Sequence, residues 1–140
     1  MSVVDDEMCF ICGQRNPIGL KVKFEIDKEN MRLTGKFTPG KEHEGFRNIM
    51  HGGLQSALLD EAMVKLLWEA GIPAVSAALD IRLVRTARVG REISVEGWVE
   101  SRKGRLILTA ARLMDGDGNV LSEAKGKCVK VKFKEDGSVE

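Results

Sequence analysis

The residues best suited to chemistry sit together in mid-chain: Asn48-Ile49-Met50-His51-Gly52-Gly53-Leu54, followed by Asp60 and Glu61. Two glycines at a helix start would leave the first backbone N–H groups unshielded. Those donors have no intrahelical partners, and the helix dipole adds partial positive charge. A carbonyl oxygen that becomes an oxyanion would be stabilised there. Asp60 lies in a largely apolar stretch, where a carboxylate is costly unless it is hydrogen-bonded or put to use. The pattern predicts attack on a carbonyl, with the oxyanion at Gly52 and a carboxylate at Asp60. Spacing adds a condition. Gly52 and Asp60 are eight residues apart, which is about 12 Å along a helix axis at a rise of about 1.5 Å per residue. An Asp side chain does not bridge that gap. If the two groups cooperate, Asp60 must come from a second, antiparallel copy of the helix, giving a homodimer with two composite sites.

The elements that must hold these residues show in the hydropathy pattern. Residues 52–70 predict one long helix, apolar on most sides through Leu54, Ala57, Leu58, Leu59, Ala62, Met63, Val64, Leu66, Leu67 and Trp68. Gly71 and Pro73 supply its stop signal. A helix greasy nearly all round should be wrapped by other structure. Before it, Leu20, Val22, Phe24 and Ile26 alternate with charged residues and predict a strand, as do Met31, Leu33 and Phe37. The polar residues 27–30 read as the hairpin loop between them, and a polar loop with Pro39, Gly40 and Gly45 leads to the helix. Four more strands are predicted over 74–84, 92–101, 105–113 and 120–133, with Lys103-Gly104 and Asp115-Gly116-Asp117-Gly118 as turns. In the last strand Ala124, Gly126 and Cys128 share one face and Val129, Val131 and Phe133 the other, so a bulge is expected near Cys128 or Val129. The order β-β-α-β-β-β-β predicts an α+β fold, a curled antiparallel sheet around one central helix. The divisions read as an irregular arm over 1–19, one domain over 20–134 and a polar tail over 135–140.

Composition excludes several classes. The chain has 140 residues, with 22 Lys+Arg against 21 Asp+Glu, a formal charge of +1. That balance lacks the basic excess of a nucleic-acid footprint or a polybasic membrane surface. Aromatics make up 5% and Tyr is absent, which disfavours a base-stacking platform. The start, MSVVDDEM, carries acidic residues where a signal peptide needs basic ones, and no apolar run is long enough to span a bilayer. The expected location is cytoplasmic. The three cysteines do not form a disulfide framework. Cys9 and Cys12 make a single CxxC, which supplies two of the four ligands of structural zinc, and Cys128 adds at most one. The expected reading is a structural turn with reduced thiols, no metal and no cofactor.

The sequence resembles the hot-dog-fold acyl-CoA thioesterases, in the branch similar to phenylacetyl-CoA thioesterase (PaaI-like). The resemblance rests on His51-Gly52-Gly53 with Asp60 nine residues after the His. Leu79-Asp80-Ile81-Arg82-Leu83-Val84-Arg85-Thr86-Ala87-Arg88-Val89-Gly90 is similar to the family's "LxVxYLRPxxxG" strand. The closing DGDGNVLSEAKGK and the opening Cys9-Phe10-Ile11-Cys12-Gly13…Asn16-Pro17-Ile18-Gly19-Leu20 also match, so the likeness covers about residues 9–132. It implies a thioester hydrolase acting on acyl-CoA. Gly52 N–H would polarise the thioester carbonyl. Asp60 would act as general base on water or as nucleophile, with Glu61 a rival base. His51 would shape the pocket and Ser76 would help position water. Gly53, Asn48 and Glu61 fall at the substrate, and Arg82, Arg85 or Arg88 would meet the CoA phosphates, since Arg forks suit phosphate oxygens. The implied assembly is a homodimer or a homotetramer, without nucleic acid or membrane. The alternative is a non-catalytic acyl-CoA-binding protein on the same fold. A hydratase is disfavoured, because Lys65 stands where that chemistry needs His, and no His follows His51. The sequence departs from the family at Leu83 (usually Tyr), Thr86 (usually Pro) and Gly45 (Asn in some relatives).

Overall fold

The computed structural model describes residues 6–132. Two short strands, β1 (Phe24–Asp27) and β2 (Arg32–Phe37), form a hairpin. Helix α1 (Gly52–Glu69) follows, then β3 (Ala74–Leu83), β4 (Ile93–Lys103), β5 (Leu106–Met114) and β6 (Val120–Lys130). All pairs are antiparallel, and the six strands run in the order β1-β2-β4-β5-β6-β3. The helix packs against this one sheet, which is the predicted architecture. No helix among the described residues is long and apolar enough to cross a membrane.

The helix seats one stripe on the sheet. Leu58, Leu59, Ala62, Met63, Leu66 and Leu67 are fully buried, at the spacing of one helical face. Leu33, Ile93, Val95, Ala111, Leu113 and Ala124 cluster with all of these but Leu67, which packs with Ala74, Ile107 and Cys128. Contact is closest at Gly97 in β4: a Cβ there would lie 2.7 Å from the backbone oxygen of Ala62. The helix stops one residue short of the expected end. Ala70 caps it, Gly71 takes φ +82°, and Ile72 N–H returns to Leu67 C=O at 2.8 Å.

The sheet covers one face of the helix, and Leu54, Ala57, Asp60, Glu61, Val64 and Trp68 outside that face are partly buried. Three expectations need correction. The first strand starts at Phe24 rather than Leu20. Leu20 and Val22 are buried as their alternation implies, but their N–H groups bond to Phe10 and Ile11 of the arm, and Lys21 between them takes φ +54°. The loop before the helix contains one 3-10 turn, Lys41–His43. The bulge near the end of the sheet belongs to β3, where the register shifts between Ser76 and Ala78, opposite Cys128 and Lys127. Cys128 and Val129 stay in register with β5. The change of face comes after β6 ends, where Val131 N–H donates to Pro73 C=O; Phe133 lies outside the described residues.

Gly97→Ala should lower stability by about 1–3 kcal/mol, the usual cost of overpacking, because the obstacle is helix backbone. Gly116→Ala, with nothing within 4 Å of the added Cβ, should leave the thermal midpoint nearly unchanged. Thermal unfolding of the two variants checks the contrast.

Candidate active site

The loop before α1 is held by its own polar groups. His43 Nδ1 accepts from Gly40 N–H at 2.8 Å, and its carbonyl accepts from His51 N–H at 2.8 Å. Met50 N–H donates to Ala87 C=O, and Ile49 bridges to Arg88, tying the loop to the segment after β3. Asn48 takes φ +62° and is occupied within this loop. Its N–H donates to the Glu44 carboxylate, and its Oδ1 accepts from Lys41 Nζ at 3.3 Å. Lys41 first, then the Asn48 amide, hold the Glu44 carboxyl below its ordinary value of 4.5.

The helix start is only half open. His51 is the N-cap, and its Nδ1 accepts from Gly53 N–H at 2.9 Å. The unshielded pair of donors expected from Gly52-Gly53 is therefore reduced to one. Gly52 N–H makes no hydrogen bond among the described residues. Both glycines are set by crowding. A Cβ at Gly53 would sit 2.9 Å from His51 Nδ1, and one at Gly52 would sit 2.9 Å from Leu83 Cδ1. Beside Gly52 lies an open cleft of about 780 Å³, lined by Phe46, Met50, His51, Gly52, Gln55, Leu83 and Arg85 among others. Phe46 is 85% exposed and Leu83 55% exposed at its rim. Gln55 was not singled out in the sequence. It is 3% exposed, its Oε1 has no partner among the described residues, and it lines the cleft. The available signal was an amide inside the buried stripe of an apolar helix.

Asp60 and Ser76 come together two turns further on. Ser76 Oγ donates to Asp60 Oδ1 at 2.6 Å, across from the helix to the edge strand β3. Asp60 Oδ2 makes no hydrogen bond among the described residues. Cys128 is the cross-strand neighbour of Ser76. Its thiol is pushed up by burial first, aided by the Asp60 charge and opposed by hydrogen bonds to Thr109 and Ser76. Glu61, the next residue, projects to a different flank. Its carboxylate accepts from Cys12 Sγ at 3.2 Å and Cys9 Sγ at 3.6 Å. Burial, then the Glu61 charge, push the Cys12 thiol up to about 12. Lys65 is pulled down by burial, but the charges of Cys12, Glu69 and Glu61 outweigh this and leave it raised. The three arginines are dispersed. Arg85 lines the cleft, Arg82 reaches Glu123 at 3.7 Å, and Arg88 sits on the loop that pairs with Ile49.

The structure thus offers an N–H donor at a cleft and a carboxylate–hydroxyl pair two turns away. A helix packed on an antiparallel sheet in this way is found in known proteins. The Thioesterase superfamily profile matches residues 47–122, and the chain belongs to that superfamily. No curated protein sequence matches the chain. A crystallised thioesterase superfamily protein superposes with a TM-score of 0.83 at 24% identity, covering 89% of this chain and 61% of that one. The present chain therefore spans about three-fifths of that protein's length. The E. coli PaaI protein from the phenylacetic acid degradation operon has a TM-score of 0.75 at 17% identity, covering 81% of each chain. A hypothetical thioesterase from Streptococcus pneumoniae, solved with coenzyme A, has a TM-score of 0.73 at 10% identity, covering 78% of this chain and 84% of that one. The fold is the hot-dog fold.

Two outcomes test the local geometry. His51→Ala should cost about 1 kcal/mol, the usual loss of an N-cap, read as a lower thermal midpoint. The Glu44 carboxyl has a lowered folded value, so its contribution is present above 4.5 and lost as pH falls through that folded value. The Asn48 amide resonance should titrate with a midpoint below 4.5.

Proposed function

We propose that this protein hydrolyses an acyl-CoA thioester to the free acid and CoA. The observation that carries the reading is the Gly52 N–H at a helix N-terminus, without a hydrogen-bond partner among the described residues, on a glycine that lines a cleft. A thioester carbonyl oxygen placed there would be polarised, and its oxyanion stabilised, by a fixed donor and the helix dipole. Water adds to the carbonyl carbon, the C–S bond breaks, and the thiolate of CoA leaves and takes up a proton. Asp60 is the group that activates the water, with Ser76 holding its carboxylate at 2.6 Å. His51 fixes the helix start, and Gly53 leaves room for its ring. Gln55 Oε1 and the apolar rim of Phe46 and Leu83 face the acyl side. Arg85 is the arginine placed to meet a CoA phosphate, because it alone of Arg82, Arg85 and Arg88 lines the cleft. Coenzyme A in the pneumococcal structure supports the ligand class.

The site is composite in this reading. The helix separates Gly52 from Asp60 by about 12 Å, so the partner's copy of the carboxylate completes each site. Edge strand β3 supports a homodimer. Its outer edge is unpaired among the described residues, and Leu79 and Leu83 stand exposed along it. A long open edge with apolar side chains is a template for pairing with another chain.

An acyl-CoA panel, read by release of free thiol, tests the activity. Asp60→Asn should reduce kcat by about 10²–10⁴-fold, the range for loss of an acid–base group, with KM little changed. Mixed refolding of Asp60→Asn with Gly52→Val should restore activity that neither variant has alone. Full activity in Asp60→Asn, or a monomer that still hydrolyses, would overturn the mechanism. Tight binding of the acyl-CoAs without turnover would indicate a non-catalytic binding protein.

A further inference from the structure

The arm before the sheet carries a second cluster that hydrolysis does not use. Cys9, Cys12 and Glu61 each present a ligand atom, and these atoms all lie within 4.8 Å of one another. We propose that Cys9, Cys12 and Glu61 bind a thiophilic divalent cation, for which Zn2+ is the best match, and that the ion pins the arm to the flank of α1.

Three observations support the site. The first is size. With Zn–S of about 2.3 Å and Zn–O of about 2.0 Å, a tetrahedral S···O edge is about 3.5 Å. Cys12 Sγ lies 3.2 Å from Glu61 Oε1 and Cys9 Sγ 3.6 Å from Oε2, so each thiol has one carboxylate oxygen near that distance. The second is how the donors are held. Gly13 N–H returns to Cys9 C=O at 2.8 Å, closing the Cys-x-x-Cys turn. A Cβ at Gly13 would fall 2.4–2.5 Å from the backbone of Glu7 and Cys9, so only glycine allows this closure. Ile11, between the two cysteines, is buried in the core, and Leu20 and Val22 clamp the backbone of residues 10 and 11. Glu61 stands on the rigid helix. The third is charge. Two thiolates and a carboxylate around a divalent ion leave one net negative charge, and Lys65 follows Glu61 by four residues on the same side of α1. Binding releases the two thiol protons to solvent and needs no redox partner. Three protein ligands leave a fourth position for water. Cys128 is not part of the set: it is buried on β6 beside Thr109. The third donor is Glu61, from 49 residues beyond Cys12.

The inference stands apart from the thioesterase reading, and its test does not use activity. The full chain, reduced and stripped with a chelator, is titrated with Zn2+ against a chromophoric competitor. One zinc per chain is expected, with a rise in thermal midpoint. Co2+ in its place should give the intense visible bands of a tetrahedral ion and a thiolate charge-transfer band in the near ultraviolet. Glu61→Gln should weaken zinc binding at least about tenfold, the scale on which even outer-shell partners act. Cys12→Ser should abolish the charge-transfer pattern of the native protein, whereas Asp60→Asn should bind as native does. A pale octahedral Co2+ spectrum in the unmutated chain overturns the proposal without reference to any variant. Zinc affinity unchanged in Glu61→Gln overturns the assignment of the third ligand, as does a Cys9–Cys12 disulfide that persists in the presence of zinc under reducing conditions.

Discussion

The seating of α1 on the sheet governs the rest of the molecule. The stripe of Leu58, Leu59, Ala62, Met63, Leu66 and Leu67 must face the strands, and Gly97 lets the backbones approach closely enough for it to do so. Once that stripe is committed, the rotation of the helix is set, and each remaining position has one direction left. Asp60 projects toward the edge strand and meets Ser76. Glu61, about 100° further round at 3.6 residues per turn, projects toward the arm and meets Cys9 and Cys12. Neighbouring carboxylates in sequence therefore have unrelated surroundings. One faces a hydroxyl beside an exposed sheet edge, and the other faces two thiols and a lysine ammonium.

The same helix acts as a ruler. Its N-terminus opens on the cleft and its acidic residue lies two turns away. No side-chain rotation within one chain closes that distance. The sheet order places β3, the strand that bonds Asp60 through Ser76, at an edge whose backbone is unpaired among the described residues and whose leucines are exposed. The proposed chemistry and the proposed assembly thus depend on a single geometric fact, and neither is independent of how the helix packs.

Irregular segments do much of the positioning. The residues from Gly40 to His51 form almost no regular structure, yet backbone and side-chain hydrogen bonds hold them at His43, Asn48, Met50 and His51. The arm is likewise built from turns, with Ile11, Leu20 and Val22 buried beneath it. Both segments deliver functional groups to α1: the loop brings the His51 cap to its start, and the arm brings two thiols to its middle. Strands supply the platform, and the segments between them set the chemistry.

Elements with strong periodicity were legible from sequence. The helix, its stop at Gly71 and Pro73, the two turns at Lys103-Gly104 and Asp115–Gly118, and the alternating faces of the strands depend on neighbours in the chain, and local pattern records them. The helical rise likewise determined that Gly52 and Asp60 stand apart, whatever the fold. Other features depend on contacts between segments distant in sequence. Leu20 and Val22 alternate like a strand, but the arm takes their hydrogen bonds, so the ladder starts later. The bulge moved to β3 because register is a property of a pair of strands. His51 caps Gly53, closing one of two donors, since capping depends on how the loop approaches the helix. Glu61 found the CxxC because packing fixed the helix rotation. Sequence thus determined which residues are apolar, which are reactive and how far apart the helix holds them. Tertiary structure decided which of them meet, because burial of one helical face against a sheet is a long-range constraint that no local spacing encodes.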